Sequence, residues 1–497
     1  MAINAGGSLN STPSTRKQAS PSNYLDLAST ANEGWAQQYL PDLMEKEAEV
    51  FGPRTISGFL SQVGAEEAMT ADQVVWSEQG RLHLSYTGQI TNGDAGTIAG
   101  GQITIGKDID GIAAGANHGI RKNDTVIIAS AEGTVKALVT LTDATAVIEV
   151  APYGVVDLND VFTDNQGADS VTVLVYGSEY GKGDNYDGSS TRGANEPSFK
   201  SFSNKPIILK DYYEVAGSDV ARIGWVEVAS EAGQSGYLWY LKAEADTRAR
   251  FNDYLEMSML ESVKGGAAGG YTGGVADLTD AHVGNDAQVT GTQGLFNAIE
   301  ERGNVTTGIT GVNAATDLAE FDAILAEFDK QGAIEENMMF VNRATSLAMD
   351  DMLASMNSYG AGGTSYGVFE NDEDMALNLG FSGFRRGSYD FYKSDMRYLN
   401  DKATRGSIND AYAAGAIRGM FIPAGTSTVY DQNLGKNLKR PFLHVRYRAS
   451  QTDDRRMKTW TTGSVGAATS ALDAMQIHFL SERCLVTQGA NNFMLMK

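Results

Sequence analysis

Metal or nucleophilic chemistry in this chain would have to be built from His83, His118, His282, His444, His478 and Cys484. A zinc site needs three or four such ligands converging, and on helices or ribbons that shows as short, fixed spacings. No two of the histidines stand at a helical ligand spacing, and none sits in a ligand motif with the cysteine. His478 lies six residues before Cys484, which does not make a nucleophile–base dyad. Cys484, followed by Leu485 and Val486, reads as a small core residue. The histidines read as surface or sheet positions.

Two loops resemble ligand motifs and then fail them. Gly177-Ser178-Glu179-Tyr180-Gly181-Lys182-Gly183 is one residue short of a phosphate loop, and Gly183 replaces the hydroxyl that would bind magnesium. Asp108-Ile109-Asp110-Gly111 alternates carboxylates as a calcium loop does, but lacks the glutamate at the twelfth position. No catalytic residue, cofactor site or metal site is therefore expected. What remains are cations suited to joining surfaces: the pairs Arg385-Arg386 and Arg455-Arg456, and Arg248 with Asn252 inside a helical stretch. Basic pairs without interleaved aromatics fit salt bridges between subunits, or solvated surface, better than base reading.

The totals narrow the class. The chain has 497 residues, 42% of them hydrophobic, enough for several domains and a sizeable core. No apolar run reaches the length of a membrane span, and the start of the chain lacks the apolar centre of a signal peptide. One cysteine excludes an intrachain disulfide framework and fits a reducing cytosol. The net charge of -23 disfavours nucleic-acid binding by the average surface. Residues 383–458 are the exception, with 15 Lys or Arg against 7 Asp, an asymmetry that head-to-tail self-association could use.

The elements that must position these residues follow a clear order. Residues 1–22 form a polar arm, and a short helix reaches through Trp35, Tyr39 and Leu43. Val74–Tyr86 reads as a hairpin turning at Gln79-Gly80. From about Thr91 to Tyr176 the β-rich runs 125–129, 134–141, 147–150 and 171–176 predict a small barrel or sandwich. Tyr237–Lys264 predicts a helix of roughly 40 Å. Its apolar face carries Tyr237, Leu241, Ala245, Leu255, Met259 and Val263, with Phe251 at the edge and Arg248 and Asn252 as a polar break. A helix 317–328 opening at Asp317 and Glu320, short strands and a second helix 343–356 then predict a mixed α/β region, closed by strands near 475–480 and 493–496.

Several stretches carry a likeness to a known family. They are Asn4-Ala5-Gly6-Gly7, Pro206-Ile207-Ile208-Leu209-Lys210-Asp211-Tyr212-Tyr213, Ile223-Gly224-Trp225-Val226-Glu227-Val228, Gly236 through Glu261, Ile477-His478-Phe479-Leu480-Ser481-Glu482, and Gly489-Ala490-Asn491-Asn492-Phe493. With this order of elements the chain resembles the major capsid proteins of tailed bacteriophages, most closely those of crAss-like phages. The resemblance implies an α+β chain of the Hong Kong 97-type fold with an inserted small β-barrel domain. It divides into an N-terminal arm and short helix (1–50), the first side of an E-loop (51–90), the barrel (91–176) and the E-loop return (177–215). A peripheral domain with its spine helix (216–264), an axial domain (265–425) and returning peripheral strands (426–497) follow.

The same resemblance implies a structural, non-enzymatic role. Hexamers and pentamers would close an icosahedral head around double-stranded DNA, meeting portal and decoration proteins but no membrane. The chain would be assembled in the bacterial host cytoplasm and reside in the virion. Arg248, Asn252, Arg385, Arg386, Arg455 and Arg456 are the expected assembly contacts. The alternatives are another virion component, such as a head-decoration or tail-tube protein, and a soluble hydrolase whose acids meet in space.

Overall fold

The computed structural model describes residues 65–78, 83–94, 100–109, 111–142, 146–183, 200–222, 227–229, 235–265, 291–332, 334–358, 383–424, 426–431, 436–464 and 468–497. The expected arm and short helix, His282, and the glycine-rich stretches 266–274 and 360–367 lie outside them. The chain is α+β and divides into two compact units, Ser77–Phe202 and the remainder.

The smaller unit is a closed six-stranded barrel. Its strands are Ser85–Asn92, Gln102–Asp108, Asp124–Ala129, Thr134–Thr142, Val147–Pro152 and Val171–Ser178. Alternation builds it: Ile90, Ile103, Ile105, Val126, Ile128, Val139, Ile148, Val150 and Val173 point inward and are almost fully buried. β-Branched side chains suit such a pleated wall. The barrel opens earlier than the composition change near Thr91 suggests, because Tyr86 and Ile90 fill its interior. The turn of the hairpin expected over Val74–Tyr86, Gln79-Gly80, lies outside the described residues. Val74–Glu78 pairs with Lys200–Asn204, while Ser85–Asn92 pairs with the second and last barrel strands. The two halves of that stretch answer to different partners, which a local turn rule cannot see.

The loops that resembled ligand motifs serve this barrel. Gly177 and Ser178 end its last strand, and Glu179 accepts a hydrogen bond from Tyr153 Oη. Asp108 Oδ1 accepts from the Ile112 amide at 2.8 Å and caps a turn; Asp110 lies outside the described residues. His118 is buried at 2% exposure, with its ring edge-on to Tyr86 at 6.2 Å. Neither of its ring nitrogens has a hydrogen-bond partner among the described residues. Burial and the neighbouring Arg121 charge hold its imidazole below the ordinary histidine range.

In the larger unit, Ala474–Thr487 is the central strand of a five-stranded sheet. Ile207–Ala216 runs antiparallel to it over ten residues, from Ile207↔Arg483 to Ala216↔Ala474. Leu443–Arg448 and Lys458–Gly463 share its other side, and Ala65–Met69 adds a parallel strand at the far edge. The helix Leu238–Glu261 lies on this sheet, burying Phe251 and Leu255 against Ile477 and Phe479. Farther along, its Met259 and Leu260 enter a second core with Leu295, Phe340, Leu443, Leu485 and Phe493.

The buried face keeps Leu255 and Met259 of the expected stripe but is rotated toward Phe251. Ala243, Thr247, Phe251, Leu255 and Met259 are buried, whereas Ala245 and Arg248 are exposed and Val263 lies beyond the helix end at 62% exposure. The large Phe251 ring gains ~2–3 kcal/mol on burial, so it sets the rotation rather than Ala245. Thr247 tolerates the interior because its Oγ1 donates to the Ala243 carbonyl at 2.8 Å.

A six-stranded mixed sheet completes the unit, in the order 304–306, 494–496, 419–423, 336–341, 389–395, 383–386. Helices Ala314–Gln331 and Arg343–Ser358 belong to this part, where Phe321, Phe328, Met349 and Met352 share one core with Phe391, Phe421 and Met494. The first of these helices starts earlier than expected. Asn313 Oδ1 caps it by accepting from the amides of Ala315 and Thr316. Glu320 and Asp317 instead hold the preceding loop, at Thr310 and Gly311.

Candidate functional site

The densest polar construction lies where the parallel strand Ala65–Met69 joins Leu443–Arg448. One strand carries Glu66 and Glu67, and the other carries Arg446 and Arg448. Arg446 Nη2 meets Glu67 Oε2 at 2.8 Å, and Arg448 pairs with Asp72 just past the acidic strand. Inside the seam, Glu482 is 8% exposed and lies between Arg448 Nε at 2.8 Å and Arg455 Nε at 3.0 Å. A carboxylate so buried is tolerable only because both oxygens face guanidinium groups.

Arg483 is equally buried. Its Nε donates to Ser481 Oγ and its Nη2 to the Arg456 carbonyl, both at 2.9 Å, and its Nη1 is 3.6 Å from Glu66 Oε1. Burial lowers its guanidinium from the ordinary arginine value, and the charges of Glu66 and Glu256 oppose that shift. Arg456 also turns onto Glu66 and stacks over the Tyr447 ring at 5.7 Å.

Beside this network is a cavity of about 390 Å³, lined by Glu66, Glu256, Asp454, Arg456 and Arg483 together with Asn252, Leu255 and Met457. The long helix supplies Asn252, Leu255 and Glu256, and the central strand supplies Arg483. The segment before Lys458–Gly463 supplies Asp454, Arg456 and Met457. Leu255 is buried, whereas Asp454 and Arg456 are exposed. The arrangement can grip a charged or hydrogen-bonding group from outside, but it contains no nucleophile aligned with a base.

The structure brings together only part of the predicted set. Asn252 and Arg456 share the cavity, and Arg455 stands next to it on Glu482. Arg248, one helical turn earlier, is 54% exposed, lies 3.7 Å from Glu244 and sits over the Phe479 ring at 5.9 Å. Arg385 and Arg386 are on the other sheet and differ from each other. Arg386 makes a two-pronged bond to Asp322 at 2.6 and 2.7 Å, while Arg385 is 65% exposed and 3.6 Å from Asp390. The sequence reading missed Glu66, Glu256, Asp454 and Arg483. They come from four separate segments of the chain, so no local pattern joins them.

A second polar hub holds the base of the ribbon formed by Val74–Glu78 and Lys200–Asn204. The Asn204 side chain is fully buried. It donates to the carbonyls of Gln293 (3.1 Å) and Leu485 (2.7 Å), and accepts from Thr292 Oγ1 (3.0 Å) and the Gln293 and Lys205 amides (both 2.9 Å).

The other candidates resolve as structural. Cys484 is buried in the central strand and its thiol is pushed up to about 12 by burial, so it is inert rather than nucleophilic. His478 stacks between Tyr212 and Trp460, at 6.0 and 5.1 Å, and meets Thr462 Oγ1 at 2.7 Å. His444 is buried with Nδ1 3.2 Å from the Pro441 carbonyl. Among the described residues no three His, Cys, Asp or Glu side chains are grouped to hold a metal, and no helix is long and apolar enough to cross a membrane.

No protein-family model matches the sequence, and no curated protein matches it either. Solved structures do resemble it. One from Microbacterium phage Oxtober96 is 9% identical, covers 95% of this chain and 99% of its own, and has a TM-score of 0.36. One from Mycobacterium phage Bobi is 5% identical over 94% and 98%, also at 0.36. The Cyanophage Pam1 capsid asymmetric unit is 13% identical over 64% and 82%, at 0.32. These likenesses fall below a TM-score of 0.5 and establish no shared fold.

Proposed function

We propose that the chain is a major capsid protein of a tailed bacteriophage, most like those of crAss-like phages, built on a Hong Kong 97-type plan. The observation that carries the proposal is the order of elements around the ribbon. Two paired strands, Val74–Glu78 and Lys200–Asn204, bracket the sequence of a closed barrel. The chain then runs directly into the long strand Ile207–Ala216, and the 24-residue helix Leu238–Glu261 packs on that strand's sheet. This is the order that the resemblance implies for an E-loop bearing an insertion, followed by a peripheral domain with its spine helix.

On this reading the mixed sheet is the axial domain, and residues 426–497, apart from the strand 494–496 that belongs to that sheet, return to the peripheral domain. Hexamers and pentamers of the chain form an icosahedral head in the host cytoplasm, enclosing double-stranded DNA and meeting portal and decoration proteins. The protein's work is contact with its own copies, which calls for large surfaces rather than a catalytic pocket. An acidic average surface limits adhesion of packaged DNA to the wall. Negative-stain microscopy of the purified chain tests the proposal. Shells or capsomer rings are the expected result; tubes or trimeric knobs would favour another virion component, and isolated small particles at every concentration would end it.

A further inference from the structure

The groups lining the cavity at the long helix differ in how far they are already committed. Its two cations are engaged inward. Arg483 is spent on Ser481, the Arg456 carbonyl and Glu66, and Arg456 on Glu66 and the Tyr447 ring. Glu66 is in turn shared between both arginines. Two groups are left over. The Asn252 side chain has no hydrogen bond among the described residues, and Asp454 uses only Oδ1, which accepts from the Arg456 amide at 2.8 Å. Between them lies the apolar surface of Leu255 and Met457. The free capacity is therefore an anionic oxygen and an amide carbonyl beside an aliphatic floor. That combination suits a long side chain with a methylene stem and a cationic head, which can bury its stem while its head finds acceptors. An anion would have to draw Arg456 or Arg483 off Glu66, which both hold, and would face the carboxylates of Glu66, Glu256 and Asp454.

We propose that this cavity receives a lysine or arginine side chain from a second copy of the chain. The inference rests on the capsid reading for the identity of the partner, and on the complementary charge of the cavity for the chemistry. Asp454 is exposed and its second oxygen draws the cation in; Asn252 on the helix fixes its position. Docking of this kind registers one subunit's helix against its neighbour without either arginine of the seam being disturbed.

Three variants test the sign of the interaction. Asn252→Arg supplies a cation within the same subunit and fills the cavity; Asp454→Lys reverses the charge at that position. Each is expected to raise the protein concentration needed for particles by about tenfold or more. Asn252→Asp adds an acceptor and is expected to lower that concentration, by about twofold at low salt and less at high salt. Thermal unfolding of the unassembled subunit should be nearly unchanged in all three, which separates docking from folding. If Asn252→Arg and Asp454→Lys assemble like the parent, or if Asn252→Arg and Asn252→Asp weaken assembly equally, the cationic occupant is wrong while the capsid reading stands. Stronger assembly of Asn252→Arg would make the occupant an anion and also overturn the proposal. A parent chain that never assembles removes the capsid reading and this inference together.

Discussion

In the barrel, the strand Ser85–Asn92 meets Val171–Ser178 and the sheet closes without an edge. In the larger unit, the five-stranded sheet ends at Ala65–Met69, whose acids are matched by arginines on the neighbouring strand and inside the seam. Both arrangements deal with the exposure of an edge strand. The barrel does so mainly with apolar side chains, with His118, Asp124 and Thr125 as buried polar residues among those described. The seam does so with charge, and its buried members, Glu482 and Arg483, cannot be removed without leaving a charged partner behind. A closed apolar wall tolerates change at any one position by roughly the size of the lost side chain. A buried ionic seam fails through whichever partner is left behind, because the remaining charge has no water to turn to.

The contrast can be broken most sharply at Glu482. Its replacement by Ala leaves Arg448 and Arg455 without their shared partner. The expected loss is ~3–5 kcal/mol in denaturant unfolding, confined to the transition of the larger unit. A loss below 1 kcal/mol would mean that the seam is peripheral. Asn204→Ala comes next. It removes the side chain that ties the Gln293 and Leu485 carbonyls to the ribbon base, and should cost ~2–3 kcal/mol, again without moving the barrel transition.

The basic pair at 385–386 then separates the two kinds of arginine. Arg386→Glu meets Asp322 head-on and should lower subunit stability by ~1–2 kcal/mol. Arg385→Glu should leave stability within about 0.5 kcal/mol and act, if anywhere, on assembly. Equal effects on folding would erase the distinction drawn between them.

The smallest expected effect belongs to the barrel. His118 is held below its ordinary value when folded, so the unfolded chain binds its proton more readily. The stability it permits is full above the unfolded value of about 6.5 and declines as pH falls from there toward the folded value. His118→Leu should flatten that decline in the barrel transition and raise its midpoint at pH 6, by ~1 kcal/mol of relieved unpaired polar surface. An unchanged slope would show that other groups carry the acid sensitivity.

How much of this was legible follows from sequence distance. The last four barrel strands were readable because alternation and turns are local properties, and each of those runs is a strand in the structure. The first two were not. Ser85–Asn92 looked like half of a hairpin because its partners, Gln102–Asp108 and Val171–Ser178, could not be identified from its own residues. The long helix was legible as a helix but not in its rotation, which Phe251 sets against a sheet strand more than 200 residues further along. Asn252 and Arg456 were singled out by type, yet nothing in their neighbourhoods indicated that they face one cavity. Arg248, a polar break in the apolar stripe, is exposed and pairs one turn back with Glu244, as their i,i+4 spacing predicts.

The central strand sets a schedule for making the protein. Ala474–Thr487 pairs with three other strands, and Met494–Met496, a few residues on, completes the other sheet between 304–306 and 419–423. The five-stranded sheet cannot close until translation has passed residue 487, and the mixed sheet cannot close until it has passed residue 496. The barrel needs nothing beyond residue 178 for its strands. A nascent chain halted at residue 300 should therefore protect a fragment spanning 85–178 from protease and leave the long helix open to cleavage. During synthesis the body of the subunit thus waits as an unclosed sheet, exposing its apolar strands longer than the barrel does, and that interval is when it most needs shielding from other copies of itself.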